Sequence, residues 1–90
     1  MDYKGIKVHL KYESHRIETM ICKPNEKLRD ICLSFSEKNH FSFDSVIFIL
    51  NGIKINQEDF NNPLKIFINK LDKNNVYILI YDILNSENEN

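Results

Sequence analysis

Tryptophan is absent from this chain of 90 residues, and glycine, proline and cysteine occur only twice each. With Gly5 and Gly52 as the only glycines, no glycine-rich loop exists to cradle a phosphate. Cys22 and Cys32 form no CxxC pair and have no histidine at ligand spacing, so they read as two buried, reduced thiols. His9, His15 and His40 are scattered one to an element or loop, which supplies no metal site. No serine or cysteine stands beside a histidine in a catalytic motif, and no paired carboxylates mark a cleft, so neither enzyme activity nor a cofactor is expected. Neither sign of charge dominates. Twelve Lys and Arg are interleaved with thirteen Asp and Glu, for a formal net charge of −1, which provides no field for nucleic acid or an anionic membrane. No apolar run approaches the roughly 20 residues of a membrane-spanning helix, and Met1-Asp2-Tyr3-Lys4-Gly5 lacks the hydrophobic stretch of a signal peptide. An intracellular protein, cytoplasmic or nuclear, is the expectation.

What the chain does have is clear periodicity. Ile6, Val8, Leu10 and Tyr12 alternate with Lys7, His9 and Lys11, the period of a strand with one face on a core. After the polar turn Glu13-Ser14-His15-Arg16, residues 17–22 form an antiparallel second strand whose facing stays open. Pairing Leu10 with Ile17 turns Ile17, Thr19 and Ile21 inward; a one-residue bulge turns Met20 and Cys22 inward instead. Beyond Pro24, Asn25 is a candidate N-cap, and Leu28, Ile31, Cys32 and Phe35 fall at i, i+3, i+4 and i+7 of an amphipathic helix. The helix is expected to end near Lys38-Asn39-His40, with Asn39 in the left-handed region, and Phe41 or Phe43 to plug the end of the core.

The run Val46-Ile47-Phe48-Ile49-Leu50 is apolar at every position and stops at Asn51-Gly52. That dipeptide is the strongest short hairpin signal, because both central residues of a type I′ turn need positive φ. Ile53-Lys54-Ile55 then folds back beside the strand. Residues 58–73 read as irregular, with Pro63 and the apolar cluster Leu64, Ile66, Phe67 and Leu71 forming a short helical turn, and Val76 to Tyr81 is a final strand. Residues 1–83 are expected to form one domain and residues 84–90 a disordered tail or the start of a linker.

A hairpin, a helix, a strand ending in Asn-Gly, a short strand, an irregular segment and a last strand suggest an α+β domain: a mixed sheet of four to five strands with one helix packed across it. Together with the strand-to-helix junction Cys22-Lys23-Pro24-Asn25-Glu26-Lys27-Leu28, and the spacing from Leu28 through Val46 to Gly52 and Ile55, this order resembles the ubiquitin-like β-grasp family, SUMO included, over roughly Gly5 to Asp82. Conjugated members end in Gly-Gly; here Ile83-Leu84-Asn85-Ser86 follows the last strand, so the resemblance implies a recognition module and not a modifier.

The resemblance also implies a site. Its strand order places the last strand between strands 1 and 3, with Phe48, Leu50, Val76, Ile78 and Ile80 inward. Ile47, Ile49, Tyr77, Leu79 and Tyr81 are then expected to point outward, with Lys7, His9 and Lys11 beside them. Ile49 matches the central isoleucine of ubiquitin's binding patch, and Tyr77 and Leu79 match the adjacent strand pair. The candidate protein-binding residues are therefore Ile47, Ile49, Tyr77, Leu79, Lys7 and His9. Protein partners are implied, from the ubiquitin pathway, the proteasome or a larger assembly, with a monomer expected for the chain alone. The edge of strand 2 from Thr19 to Lys23, with Lys23, Lys27 and Arg29, is a second route, by strand addition. Coverage of the patch by residues 58–73, a structural subunit of a complex, and a Ras-binding or PB1-like module are the alternatives.

Overall fold

Apolar alternation becomes a sheet only when the strands find partners, and here two hairpins are joined through a central parallel pair. The computed structural model describes residues 5–68 and 74–83. Strand β1 (Ile6–Tyr12) pairs antiparallel with β2 (Glu18–Cys22), and β3 (Val46–Leu50) pairs antiparallel with β4 (Ile53–Lys54). Strand β5 (Asn75–Asp82) lies between them, parallel to β1 and antiparallel to β3, which gives one five-stranded sheet in the order β2-β1-β5-β3-β4. At the Asn-Gly turn, Asn51 and Gly52 both have positive φ, 49° and 88°, as a type I′ hairpin requires.

Helix α1 (Leu28–Lys38) crosses one face of the sheet and buries the predicted stripe of Leu28, Ile31, Cys32 and Phe35. Facing it are the inward positions Ile6, Val8, Leu10, Phe48, Leu50, Val76, Ile78 and Ile80, all buried. Two ring clusters close the ends. Phe43, Phe48 and Phe60 meet with centroids 5.0–5.5 Å apart, and Tyr12 stacks on Phe41 at 4.3 Å while Phe41 meets Phe35 edge-on. Both Phe41 and Phe43 thus pack against the core.

The helix ends differ from the sequence expectation. Asn25 does not cap it: the N-cap position belongs to Lys27, in extended conformation and without a side-chain cap. The Glu26 carboxylate instead accepts from the Lys23 backbone N–H at 2.6 Å and closes a separate turn. The free N–H of Leu28 donates to the carbonyl of Asn62, Leu64 N–H donates to Glu26 O, and Lys65 N–H donates to Pro24 O. Residues 62–65 therefore act as a backbone strap across the start of the helix and satisfy groups that a cap would otherwise serve. At the other end His40, not Asn39, takes the left-handed conformation (φ 61°), and Phe41 N–H bonds back to Ser36 O. This is the Schellman arrangement, completed by the Phe41–Phe35 ring contact.

The stretch expected to be irregular holds two short 3₁₀ turns, Gln57–Asn61 and Leu64–Phe67. Phe60 and Leu64 reach the core, Phe67 packs against it and Ile66 is exposed; Leu71 and the tail 84–90 lie outside the described residues. The facing of β2 is also settled. Leu10 pairs with Glu18, not with Ile17, so Cys22 is buried, Met20 packs against the core, and Ile17 and Ile21 are exposed.

Candidate functional site

The helix covers one face of the sheet, and among the described residues nothing covers the other. That outer face is set by register. Ile49 lies opposite Leu79 on one side and Lys54 on the other, Ile47 lies opposite Tyr81, Lys11 beside Leu79, and His9 beside Tyr77. Tyr77, Leu79 and Tyr81 keep 50%, 38% and 39% of their surface in water, while Ile47 and Ile49 are half-buried between them and the sheet edge. Lys7 is exposed, opposite Ile21 in β2 and Asn75 in β5. The six residues expected from the sequence thus share one face. Of residues 58–73, a proposed cover for it, residues 58–68 instead lie against the helix and core through Phe60, Leu64 and the strap, and residues 69–73 lie outside the described residues.

His9 is the most tightly held polar group on this face. Its Nε2 donates to Asn75 Oδ1 at 2.8 Å, which leaves Nδ1 to accept from the Thr19 hydroxyl at 2.9 Å, and its ring stacks on Tyr77 at 4.7 Å with 17° between planes. Tyr77 is fixed from the other side as well: its N–H donates to Asn51 Oδ1 at 2.9 Å, and Asn51 N–H donates to Tyr77 O at 2.8 Å. The hairpin turn is thereby tied to the centre of the patch. The side chains there are positioned before any partner arrives.

Charge divides the two faces of the protein. Among the described residues, every Lys, His, Asp or Glu at an outward strand position (Lys7, His9, Lys11, Lys54) is a base. The carboxylates point elsewhere. Glu18, opposite inward-facing Leu10, pairs with Lys38 of the helix at 2.9 Å, and Asp82 accepts the Tyr12 hydroxyl at 2.8 and 2.9 Å. Arg29, exposed on the helix, lies over the Phe43 ring at 5.8 Å. What sequence reasoning missed was the company of the patch: Thr19 and Asn75 bracketing His9, Lys54 on the same face, and Ile17 and Ile21 beyond β1. Only the period-two parity of β4 and β5 could have signalled Lys54 and Asn75; the β2 residues depended on an unresolved register.

Both cysteines are buried, and burial, helped by Glu26, pushes the Cys22 thiol up to about 11; burial and the neighbouring Cys22 push Cys32 up further. Neither is a thiolate at neutral pH. Among the described residues no group of three His, Cys, Asp or Glu is placed to hold a metal, and no helix is long and apolar enough to cross a membrane. A groove of about 580 Å³ beside the β3–β4 hairpin, lined by Leu50, Ile53, Ile55, Phe67 and Ile68, carries one base, Lys54, and one acid, Asp59. It brings together no pair of groups set for catalysis.

No family model matches this sequence, and no curated protein matches it. Solved structures do. A ubiquitin from Caldiarchaeum subterraneum is similar with a TM-score of 0.68, over 87% of this chain and 92% of that one, at 7% identity. The solution structure of the N-terminal ubiquitin-like domain in the 4931431F19Rik protein is similar with a TM-score of 0.57, over 86% and 75% of the two chains, at 18% identity. Identities so low carry a likeness of fold and not of residues. Strand order, the parallel β1–β5 centre, the single crossing helix and these two likenesses agree: this chain, with no Gly-Gly pair in its 90 residues, has the ubiquitin-like β-grasp fold.

Proposed function

We propose that the chain is a non-catalytic, non-conjugated protein-interaction module that binds partner proteins through the outer face of its sheet. The observation that carries this reading is the exposed set Tyr77, Leu79 and Tyr81, on the central strand and flanked by Ile47 and Ile49, beside a rim in which Lys7, Lys11 and Lys54 are the charged side chains among the described residues. An apolar centre with a polar rim is the usual anatomy of a binding patch. Tyr77 and Leu79 have the character of its anchors, since rigid, pre-positioned side chains lose little entropy on docking. Where conjugated relatives carry Gly-Gly, this chain carries Ile83-Leu84-Asn85-Ser86, which supports recognition over attachment.

The test is an amide-shift titration of the labelled chain against ubiquitin receptors and E2-type conjugating enzymes, the partner classes that the fold suggests. Shifts are expected at Ile47, Ile49, Tyr77 and Leu79, with affinity falling about tenfold or more in Ile49→Ala and Leu79→Ala. The spectra of both variants should stay dispersed. Shifts that map to the helix instead, or affinity unchanged in both variants, would overturn the reading. A charge-paired module of the Ras-binding or PB1 kind would lose its partner in high salt and be indifferent to Leu79→Ala.

A further inference from the structure

The free edge of the sheet at β4 carries more apolar surface than a blunted edge needs. A two-residue strand bearing a lysine is enough to discourage stray pairing, yet beside Lys54 stands Ile53, at 74% the most exposed large apolar side chain among the described residues. Ile55 N–H donates to Phe48 O at 2.9 Å, which makes Phe48 and Ile55 a hydrogen-bonded pair and Ile49 and Lys54, one step along the ladder, a non-hydrogen-bonded one. Lys54 therefore turns its own N–H and C=O away from β3, out to the edge, where among the described residues no strand meets them. Ile53 lies opposite inward-facing Leu50, so it and buried Ile55 point to the helix side of the sheet. There they line the groove of about 580 Å³ together with Leu50, Phe67 and Ile68. On the outer side stands the Lys54 ammonium, in no ion pair among the described residues.

We propose that the β4 edge takes an extended segment of a partner protein as a sixth strand, antiparallel to β4, reading apolar, acidic, apolar at its centre. The central residue sits opposite Lys54: its N–H donates to Lys54 O and its C=O accepts from Lys54 N–H. Its side chain points to the outer side, next to the ammonium, which selects Asp or Glu. The residues before and after it point to the helix side about 6.7 Å apart, the spacing that also separates Ile53 from Ile55, and enter the groove. A helix would offer Lys54 no free backbone group and leave its N–H and C=O unpaired under the partner. A second copy of this chain paired edge to edge is disfavoured, because it sets Lys54 opposite Lys54. The site lies at the other end of the sheet from β2 and uses none of Ile47, Tyr77 or Leu79.

A displayed library of extended peptides, randomised at three consecutive positions and selected against the whole chain, tests this. The expected outcome is Leu, Ile, Val or Phe at the first and third positions and Asp or Glu at the second, with amide shifts at Ile53, Lys54 and Ile55. Affinity of the selected peptide should fall about tenfold when the nitrogen of its central residue is methylated, which removes the donor to Lys54 O, and stay within about twofold when the nitrogen of its third residue, which points to solvent, is methylated. It should fall about fivefold in Ile53→Ser and about threefold or more in Lys54→Glu. Both residues are exposed, so both variants keep their fold. No enrichment of that triplet, or an equal response to the two methylations, overturns the proposal. So do shifts along Thr19–Cys22, which would put the peptide on the β2 edge, and binding seen only after Leu71→Ser, which would mean that the chain fills the groove itself. A selected peptide lost with Leu79→Ala and indifferent to Ile53→Ser sits on the outer face: it removes the edge site and leaves the patch standing.

Discussion

Ile78 and Leu79 are neighbours in the central strand and point to opposite faces, so truncating each in turn measures what covers each face. Ile78 is fully buried, lies between Leu10 and Leu50 in the sheet, and faces the helix. Its replacement by alanine loses the transfer free energy of the removed carbons and opens a cavity that packed neighbours cannot fill, about 3–4 kcal/mol. Leu79 already keeps 38% of its surface in water, and solvent fills the space that its truncation leaves, so Leu79→Ala costs roughly 1 kcal/mol. A domain of this length has about 5–13 kcal/mol of stability in all, so Ile78→Ala removes a large share of it. With a urea m-value of about 1 kcal/mol/M, the midpoint should fall about 3 M in Ile78→Ala and about 1 M or less in Leu79→Ala, at unchanged m. Equal shifts would refute the reasoning. They would mean that the chain covers its own outer face in solution, and that the docking surface is a second core.

Three further outcomes follow from local chemistry. Burial first, then its hydrogen bond to the Asp82 carboxylate and the nearby Glu13, raises the Tyr12 hydroxyl to about 12 from an ordinary 10. The folded state thus favours the neutral phenol, a contribution fully present below pH 10 and lost between pH 10 and 12; the stability gap between the native chain and Tyr12→Phe should close over that window in alkaline melts. Cys22 and Cys32, buried and with raised pKa, should resist a thiol reagent until urea opens the domain, and labelling of the native chain at the rate of free cysteine would contradict their burial. Gly52 has φ 88° with open space around its Cα, so Gly52→Ala should cost only backbone strain, about 1 kcal/mol by denaturant midpoint.

The parts of this fold that were legible are those where one local rule decides. The alternation in β1 placed its two faces, while those of β3 and β5 came from the Asn51-Gly52 turn together with the family resemblance. Strand β2 was different, because Ile17, Met20, Ile21 and Cys22 put apolar groups on both of its faces and periodicity could not choose. The choice lies in tertiary features: Glu13 at φ 52° in the connecting turn, and Gly5, where a Cβ would come within 2.6 Å of the Ile21 side chain. The helix start was misread for a similar reason. Asn25 is a fair capping residue, but the carbonyl of Asn62, far along the chain, takes the hydrogen bond that a cap would have made. The outward set Ile47, Ile49, Tyr77 and Leu79 was visible through parity, whereas Ile17 and Ile21 beyond β1 needed the register of β2.

Nothing in the folding of this sheet requires the outward residues of β5 to be apolar. A strand position asks for a β-branched or aromatic side chain, and threonine meets that demand while leaving a hydroxyl in water. The same sheet uses this solution at Thr19, which also holds His9. Leu79 has no hydrogen-bonding role to lose, and only Lys11 and Ile49 stand directly beside it on the outer face. Leu79→Thr should therefore keep the urea midpoint within about 1 M of the native value and at the same time lower partner affinity, because the substitution removes anchor area and adds a polar group at the centre of the contact. A Leu79→Thr chain that unfolds, or one that binds as well as the native chain, would show that leucine stands at this position for the fold and not for a partner.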